Sequence, residues 1–466
     1  MNNEKKIIWG DVMGNSINKD YLFTRKDILR LLIPLVIEQF LAVAVGMADS
    51  IMVSSVGESA VSAVSLADSI MILLINIFAA LATGGAVIAG QYIGQKHIEK
   101  ACKAGEQLIG FIMFISVLIM IAMYFGRNFI LKVIFGSIEP DVEAYARTYI
   151  MIVFASIPFI AVYNSGAALF RAMGNSKITM ITSLIMNAIN VTGNALLVYV
   201  AKLGVAGVAI PTLVSRAVAA FMIIVLLRNE DLIIHIRKKH KYKYDKKMVS
   251  NILRIGIPNG VENSMFQLGK IMLLSVISVF GTASITANAV GNTVSAFGIL
   301  PGAAIGLGLV TVVSQCVGAG DYDQVRFYTK KFIKYVYISL IVINGLIIAG
   351  IPLILKAYNL SAETAAMASK VFIYHGIFVC IIWPMAFTLP NMLRASNDVR
   401  YTMVVGVTSM WILRIGLGIV ISKYMNVGMF GVWIAMFIDW FVRAFFFIIR
   451  YRSNKWETKT LSESES

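Results

Sequence analysis

Apolar stretches long enough to cross a lipid bilayer recur along the whole chain, and no other feature constrains its fold so strongly. Each reaches about the 20 residues that a helix needs to span the hydrocarbon core. We place twelve of them near residues 28–53, 62–93, 105–126, 146–170, 178–201, 205–227, 251–280, 285–316, 332–355, 368–393, 401–422 and 428–449. Backbone polar groups in lipid must be satisfied within their own segment, so such stretches form helices. The sequence therefore predicts an all-α membrane protein with twelve transmembrane helices.

Lysine and arginine are unevenly divided between the two sides of these predicted spans. If the N-terminus is cytoplasmic, 30 of the 41 basic residues fall on the cytoplasmic side and 7 on the other. This asymmetry follows the positive-inside rule and predicts that both termini are cytoplasmic. It also accounts for the net charge of +16. We therefore expect the basic face to attract anionic membrane lipids, and we expect no nucleic-acid partner.

The second half of the chain repeats the first at an offset of 224 residues, or 223 around one loop. The matched features are Pro34 with Pro258, Glu38 with Glu262, Gln91 with Gln315, and RAMGNSKITM at 171–180 with RASNDVRYTM at 394–403. Each half contains six spans, an even number, so both halves cross the membrane in the same orientation as parallel repeats. Transporters built from repeats bind substrate at the interface between the repeats and expose it alternately to the two sides.

The repeat divides the chain into two lobes joined by a basic linker. We predict a cytoplasmic N-terminal segment at 1–27, an N-lobe at 28–227, a linker at 228–250, a C-lobe at 251–450 and a cytoplasmic tail at 451–466. The linker is expected to be a solvated cytoplasmic loop. The 3 cysteines and 4 histidines lack metal-ligand spacing, so we expect no disulfide framework, metal site or cofactor.

Five carboxylates fall inside predicted spans: Glu38, Asp49, Asp68, Glu262 and Asp439. A charged side chain at the bilayer centre costs roughly 2.5–3.5 kcal/mol or more when it is unpaired. Each carboxylate must therefore face the interior of the bundle, pair with a base, remain protonated or bind a cation. A carboxylate that is paired with a base has a structural explanation, whereas one that is protonated or binds a cation is a functional candidate.

Three of the five have a structural explanation beside the functional one. Asp439 has Arg443 one turn later, so an ion pair along one helix competes with a coupling role. Glu38 has no nearby intramembrane base, and Lys270 is too far from Glu262 along a straight helix for direct contact. Both glutamates lie near the inner ends of their spans. They either reach inner-leaflet water or bind a cation or proton in a cavity.

Asp49 is the strongest functional candidate, because it lies deep in the first span with no basic residue within two turns. A lone intramembrane carboxylate is a functional hypothesis by default. Asp68 is similar, but its serine neighbours can solvate it. The fifth span carries Asn187, Asn190 and Asn194 on one helical stripe. This stripe either holds helices together or supplies oxygen ligands to a monovalent cation.

Pro34 and Pro258 lie near the starts of the first and seventh spans. A proline inside a helix removes a hydrogen bond and favours a kink unless neighbours compensate. The two residues therefore mark either static kinks or hinges for a conformational change.

These features together resemble the multidrug and toxic compound extrusion (MATE) family. The resemblance rests on the two six-span halves, the early proline, Asp49, the seventh-span Glu262 and the RAMGNSK and RASNDVR loops, and it covers about residues 20 to 450. The pattern looks most like the bacterial branch with a first-span aspartate. It implies a V-shaped pair of six-helix lobes in the bacterial inner membrane. It also implies export of bulky, mostly cationic amphipathic compounds in exchange for Na+ or H+.

The resemblance further implies an N-lobe cation site formed by Asp49, Asn190, Asn194 and Thr212. The family more often has aspartate where this chain has Asn194, and the loss of one negative charge weakens a Na+ site. The C-lobe acids Glu262 and Asp439 could share or replace the coupling role. We expect the protein to be a monomer.

Three other functions fit the sequence less well. A lipid-linked oligosaccharide flippase of the same superfamily is the main alternative, but it would need more basic residues in its cavity than the 4 intramembrane Lys and Arg. A channel would need a filter motif, and lone carboxylates in a two-lobe repeat favour a carrier. The stretch GQYIGQK lacks the spacing of a phosphate-binding loop. We therefore expect a transporter and not an enzyme.

Overall fold

The computed structural model describes residues 21–134, 136, 139–237, 243–425 and 427–459. Twelve long helices lie within these ranges, and each overlaps one predicted span, which confirms the fold class. They are α1 Arg25–Ser54, α2 Glu58–Gly94, α3 Ile98–Val133, α4 Pro140–Ala172, α5 Ser176–Val200, α6 Ala206–Leu227, α7 Lys246–Ser278, α8 Thr282–Gly318, α9 Tyr322–Ala349, α10 Ala362–Ala395, α11 Val399–Tyr424 and α12 Met429–Arg452. A short helix, Ile351–Tyr358, lies between α9 and α10.

Among the described helices, eleven are long and apolar enough to cross a membrane, and α7 is the long helix that falls short. Its hydropathy is lowered by a stripe of polar side chains, Asn259, Asn263, Gln267 and Lys270. Residues at this spacing share one helical face. A polar face on a membrane helix contacts protein or water and not lipid. One side of α7 therefore belongs to the interior of the molecule.

The helices pack as two lobes of six. In the N-lobe α1 packs on α5 and α5 on α6, while in the C-lobe α7 packs on α11 and α8 packs on both α9 and α10. Between the lobes, α2 packs against α7, α1 against α8, and α2 also meets α8. The first helix of each lobe thus contacts the second helix of the other, as a parallel repeat requires. Both α1 and α7 continue as helices through Pro34 and Pro258, so a hinge there stays a prediction.

Two reciprocal hydrogen bonds join the lobes at the face of the molecule where α1 begins. Gln91 Nε2 donates to the Ala395 carbonyl at 2.9 Å, and Gln315 Nε2 donates to the Ala172 carbonyl at 2.7 Å. Each bond links the end of one lobe's second helix to the last turn of the other lobe's fourth helix. Both glutamines are buried. The two lobes are therefore in contact at this face, which we call the terminal face because α1 begins there.

Beyond the middle of the membrane the first helix has less cover. Phe40 on α1 meets Phe297 on α8 with ring centroids 6.1 Å apart. Further along α1, Ala44, Met47 and Ser50 are exposed. The outer half of this helix is therefore accessible, and it is the half that carries the deep aspartate.

The described ends of the linker are tied to α3, which corrects the expectation of a solvated loop. Arg237 pairs with Glu106 through two contacts of 3.0 and 2.8 Å. Lys103 contacts Asp245 at 2.5 Å, and its hydrogen bond lowers the pKa of that carboxyl group. Residues 238–242 between these contacts lie outside the described part of the chain, as do residues 1–20 and 460–466 of the predicted terminal segments.

Candidate functional site

Asp49 on α1 faces the asparagine stripe of α5. Asn194 Nδ2 donates to Asp49 Oδ1 at 2.7 Å, and Asn190 contacts Thr212 of α6 at 3.1 Å. Asn194 is completely buried, Asn190 and Thr212 are buried, and Asp49 is partly exposed. Three helices thus bring together the four residues that the family resemblance implies for a cation site.

The amide of Asn190 makes all its hydrogen bonds when its nitrogen faces Asp49. It then donates to Oδ1 at 2.9 Å and to Oδ2 at 3.2 Å, and its oxygen accepts from Thr212 Oγ1 at 3.1 Å. The opposite orientation would place the amide oxygen against the carboxylate, where two oxygens repel. Asn190 and Asn194 therefore both present N–H donors to Asp49.

Free oxygen atoms at this position fit the coordination chemistry of a monovalent cation. Asn194 Oδ1 is buried and has no hydrogen-bond partner among the described residues. Asp49, Asn190, Asn194 and Thr212 carry carboxylate, amide and hydroxyl oxygens, the type of ligand that hard cations prefer, and in this structure both asparagines turn their nitrogens toward Asp49. Asn187, one turn away, is buried, but no hydrogen bond among the described residues joins it to Asp49. Four of the six predicted N-lobe residues, Asp49, Asn190, Asn194 and Thr212, therefore lie in one cluster, and ion binding by them stays a prediction.

Asp68 and an arginine form a second layer around Asp49. Tyr149 of α4 donates its hydroxyl to Asp68 Oδ1 at 3.0 Å. Arg216 of α6 donates to Ser156 Oγ at 2.8 Å and lies within electrostatic range of both carboxylates. Two carboxylates and one guanidinium leave this part of the N-lobe with a charge of −1 when all three are ionised. Sequence reasoning missed the positions of Tyr149 and Arg216, because both reach the site from other helices.

Glu38 and Glu262 each have an arginine partner, so the expectation that Glu38 lacks a nearby base is wrong. Arg171 Nη1 lies 3.5 Å from Glu38 Oε1, and Thr179 donates to the other oxygen at 2.7 Å. Arg394 Nη2 lies 2.8 Å from Glu262 Oε1. These arginines open the RAMGNSK and RASNDVR loops. The signal was available, since both the glutamates and the loops are matched pairs of one repeat.

Asp439 is completely buried and pairs with Arg443 at 2.8 Å. Glu262 and Asp439, the two C-lobe coupling candidates, are thus both neutralised by arginine. Neither satisfies the criterion of a lone intramembrane carboxylate. Among the five acids of the predicted spans, Asp49 and Asp68 are the ones for which no ion pair is recorded in the described part of the chain. The geometry therefore favours the N-lobe as the place of ion binding.

Two packed lobes of six helices, related as parallel repeats, are the architecture of a membrane transporter. A family model described as MatE matches residues 34–196 and again 258–420, so the second match follows the first at the same offset of 224 residues. The chain belongs to the MatE family, and it is a transporter and not an enzyme.

Relatives and solved structures agree with this assignment. The chain is 25% identical to the "Uncharacterized transporter YisQ" of Bacillus subtilis, over 92% of this chain and 94% of the relative. It is 23% identical to a "Probable multidrug resistance protein NorM" of Thermotoga maritima, over 97% and 99%. A structure described as the "Outward-facing conformation of a multidrug resistance MATE family transporter of the MOP superfamily" matches with a TM-score of 0.87 at 20% identity, over 93% and 97%, which shows a shared fold. These comparisons do not favour the flippase alternative.

Proposed function

We propose that this transporter is a secondary active antiporter that exports bulky, mostly cationic amphipathic compounds in exchange for Na+ or H+ bound at Asp49. The observation that carries the proposal is the charge balance of the N-lobe. When all three are ionised, Asp49, Asp68 and Arg216 leave one negative charge for which no further base is found among the described residues. An uncompensated charge in the membrane interior costs at least roughly 2.5–3.5 kcal/mol. One monovalent cation or one proton removes that cost.

The amides of Asn190 and Asn194 connect Asp49 to α5 and α6. Their nitrogens donate hydrogen bonds to the Asp49 carboxylate, and Asn190 also contacts Thr212 of α6. A proton or Na+ bound at Asp49 weakens these hydrogen bonds, because the carboxylate charge that they stabilise is then neutralised. The change at Asp49 is thereby transmitted to α5 and α6.

Exchange requires that the ion and the substrate favour different conformations, because a ligand shifts an equilibrium only through its differential affinity. Asp49 lies on α1, the helix that also carries Pro34 and the Glu38 ion pair at the terminal face. Ion binding that repositions α1, with Pro34 as the hinge, would couple the N-lobe site to the contacts that close the lobes. Pro258 has the matching place on α7.

The remaining parts of the proposal concern the setting of the protein. We place it as a monomer in the bacterial inner membrane with both termini in the cytoplasm, which puts the terminal face on the cytoplasmic side. Substrates enter between the lobes, and membrane lipids surround the protein. Glu38, Glu262 and Asp439 have a structural role in this proposal, because each forms an ion pair with an arginine.

The experiment that tests the proposal is transport of a fluorescent cationic dye into or out of proteoliposomes, with Na+ and pH gradients imposed separately. Asp49→Asn should abolish gradient-driven transport, because the amide can neither bind a proton nor balance Na+. Glu58→Gln is the matched control, since Glu58 is an exposed acid in the first turn of α2. Undiminished gradient-driven transport by Asp49→Asn would remove this residue from the mechanism.

A further inference from the structure

Three basic side chains of the C-lobe surround one aromatic ring. The Lys270 ammonium, the Arg414 guanidinium and the Arg443 guanidinium lie 5.1, 5.2 and 5.7 Å from the ring centre of Phe266. They come from α7, α11 and α12, so three helices converge on this point. We call these four residues the C-lobe basic cluster.

The carboxylate that contacts the basic cluster balances only part of its charge. Asp439 forms its ion pair with Arg443 at 2.8 Å. Glu262, one turn from Phe266 along α7, is itself paired with Arg394. With Asp439 ionised, the three bases of the cluster therefore retain a charge of +2. This excess has the opposite sign to that of the Asp49 region.

Arg414 is the member of the cluster whose charge is least satisfied. It is only 9% exposed, and its Nη2 donates to the Met436 sulfur at 3.0 Å, which is a weak acceptor. Its Nε has no hydrogen-bond partner among the described residues, and the indole nitrogen of Trp411, one turn earlier on α11, also has none. Asp439 lies within electrostatic range of Arg414, but it is already paired with Arg443, so one carboxylate serves two guanidinium groups. A buried cation whose charge is not fully compensated is unfavourable, and the unpaired N–H donors of Arg414 and Trp411 can serve the acceptor of a ligand.

The basic cluster is accessible from outside the C-lobe. Lys270 is exposed, although α7 is a helix of the bundle. It continues the polar stripe of Asn263 and Gln267, which are partly exposed. Because a polar stripe contacts water or protein and not lipid, this face of α7 borders the space between the lobes. A ligand in that space can reach Lys270 first and the guanidinium groups behind it.

We propose that the C-lobe basic cluster binds the anionic group of an amphipathic organic carboxylate. A guanidinium presents paired N–H donors that match the two oxygens of a carboxylate, and the Phe266 ring provides an apolar surface for the rest of the molecule. This site extends the substrate range beyond the cationic compounds of the proposed function. It requires neither Asp49 nor an ion gradient, so binding to it can be measured separately from transport.

The test is a fluorescence titration of the purified transporter with 1-pyrenebutyrate, compared with the uncharged amide of the same molecule. The wild type should bind the carboxylate about tenfold more tightly than the amide, in line with hydrogen bonds to charged groups. Lys270→Gln should remove most of this preference, and Lys270→Arg should keep it. Lys330→Gln, at an exposed lysine of α9, should change nothing. Asp49→Asn should leave the titration unaltered even where it abolishes transport.

Several results would overturn the proposal. Equal affinity for the two probes would show that the cluster does not recognise the anionic group. An unchanged preference in both Lys270→Gln and Arg414→Gln, each verified as folded by its elution profile, would place the anionic group elsewhere. Displacement of the probe by chloride, but not by gluconate at the same ionic strength, would assign the cluster to an inorganic anion.

Discussion

Replacing Gly318 with alanine should open the terminal face of the transporter. A Cβ atom at this position would lie 2.6 Å from the carbonyl carbon and 2.7 Å from the Cα atom of Gln91. Contacts this short occur between α8 and α2, and thus between the lobes. The opposing atoms belong to the backbone, so no change of rotamer can relieve the overlap. Separation of the lobes relieves it at once.

The expected size of the effect follows from the cost of overpacking. An extra methyl group forced into a packed contact costs about 1–3 kcal/mol. At 1.4 kcal/mol for each factor of ten, this is roughly a 5- to 150-fold shift toward conformations in which the lobes are apart at this face. Gly94 is the equivalent residue of α2, and its Cβ would lie 2.9 Å from the backbone nitrogen of Ala319. Gly94→Ala should therefore act in the same direction.

The measurement is a distance distribution between spin labels at positions 99 and 330, which are exposed and lie on α3 and α9. The three native cysteines are first replaced by alanine. Gly318→Ala should increase the population at longer distances. Gly345→Ala is the matched control, because a Cβ at Gly345 on α9 meets nothing within 4 Å. The reasoning is refuted if Gly318→Ala keeps the wild-type distribution, or if the control shifts it equally.

Two further predictions concern the ion site and the linker. Asn194→Asp adds a second acid beside Asp49. The apparent Na+ affinity in dye transport should therefore rise about tenfold or more, because charge-assisted interactions are stronger than neutral ones. An unchanged or weaker Na+ dependence would contradict Na+ binding at Asp49. Glu106→Gln removes the ionic partner of Arg237, so trypsin should cut the linker several-fold faster than in the wild type, while Glu99→Gln, at an exposed acid nearby, should leave the rate unchanged.

The architecture could be predicted from the sequence because its two signals are local and periodic. Apolar stretches give the number of helices, and the repeat gives the relation between the lobes. Asp49 and the α5 asparagines could be recognised from the sequence for the same reason, because a lone acid and a polar stripe are visible on single helices. The partners of Glu38 and Glu262 are not visible on single helices, because Arg171 and Arg394 lie more than a hundred positions away along the chain. Only the repeat, which matches both the glutamates and the two loops, pointed to them.

The linker contacts escaped prediction for a related reason. A run of basic residues is compatible with free solvation, and nothing near it in the sequence points to Glu106 or Lys103 of α3 as its partners. The Gln91 and Gln315 bonds were equally hidden, although the repeat pairs the two glutamines. Repeated polar residues at matched positions are thus a better guide to lobe contacts than the single-helix patterns alone.

The repeat is preserved at the contacts that close the lobes, and it is lost at the two sites for which we propose ligand binding. The glutamine bonds, the close glycines and the glutamate–arginine pairs all occur twice, once in each lobe. At the same offset of 224 residues, Asp49 corresponds to Leu273 and Asn190 to Arg414.

The C-lobe therefore lacks a counterpart of Asp49, and at this offset it carries the Arg414 guanidinium where the N-lobe carries the Asn190 amide. Because a covalently attached charge cannot leave, we expect one coupling ion in each transport cycle, and we expect it in the N-lobe. The unbalanced positive charge of the other lobe is then available to an anionic group. Helices α1 and α7 both contact the opposite lobe, and the lobes meet at the shared terminal face. A ligand bound in one lobe can therefore influence the other lobe without a second ion site.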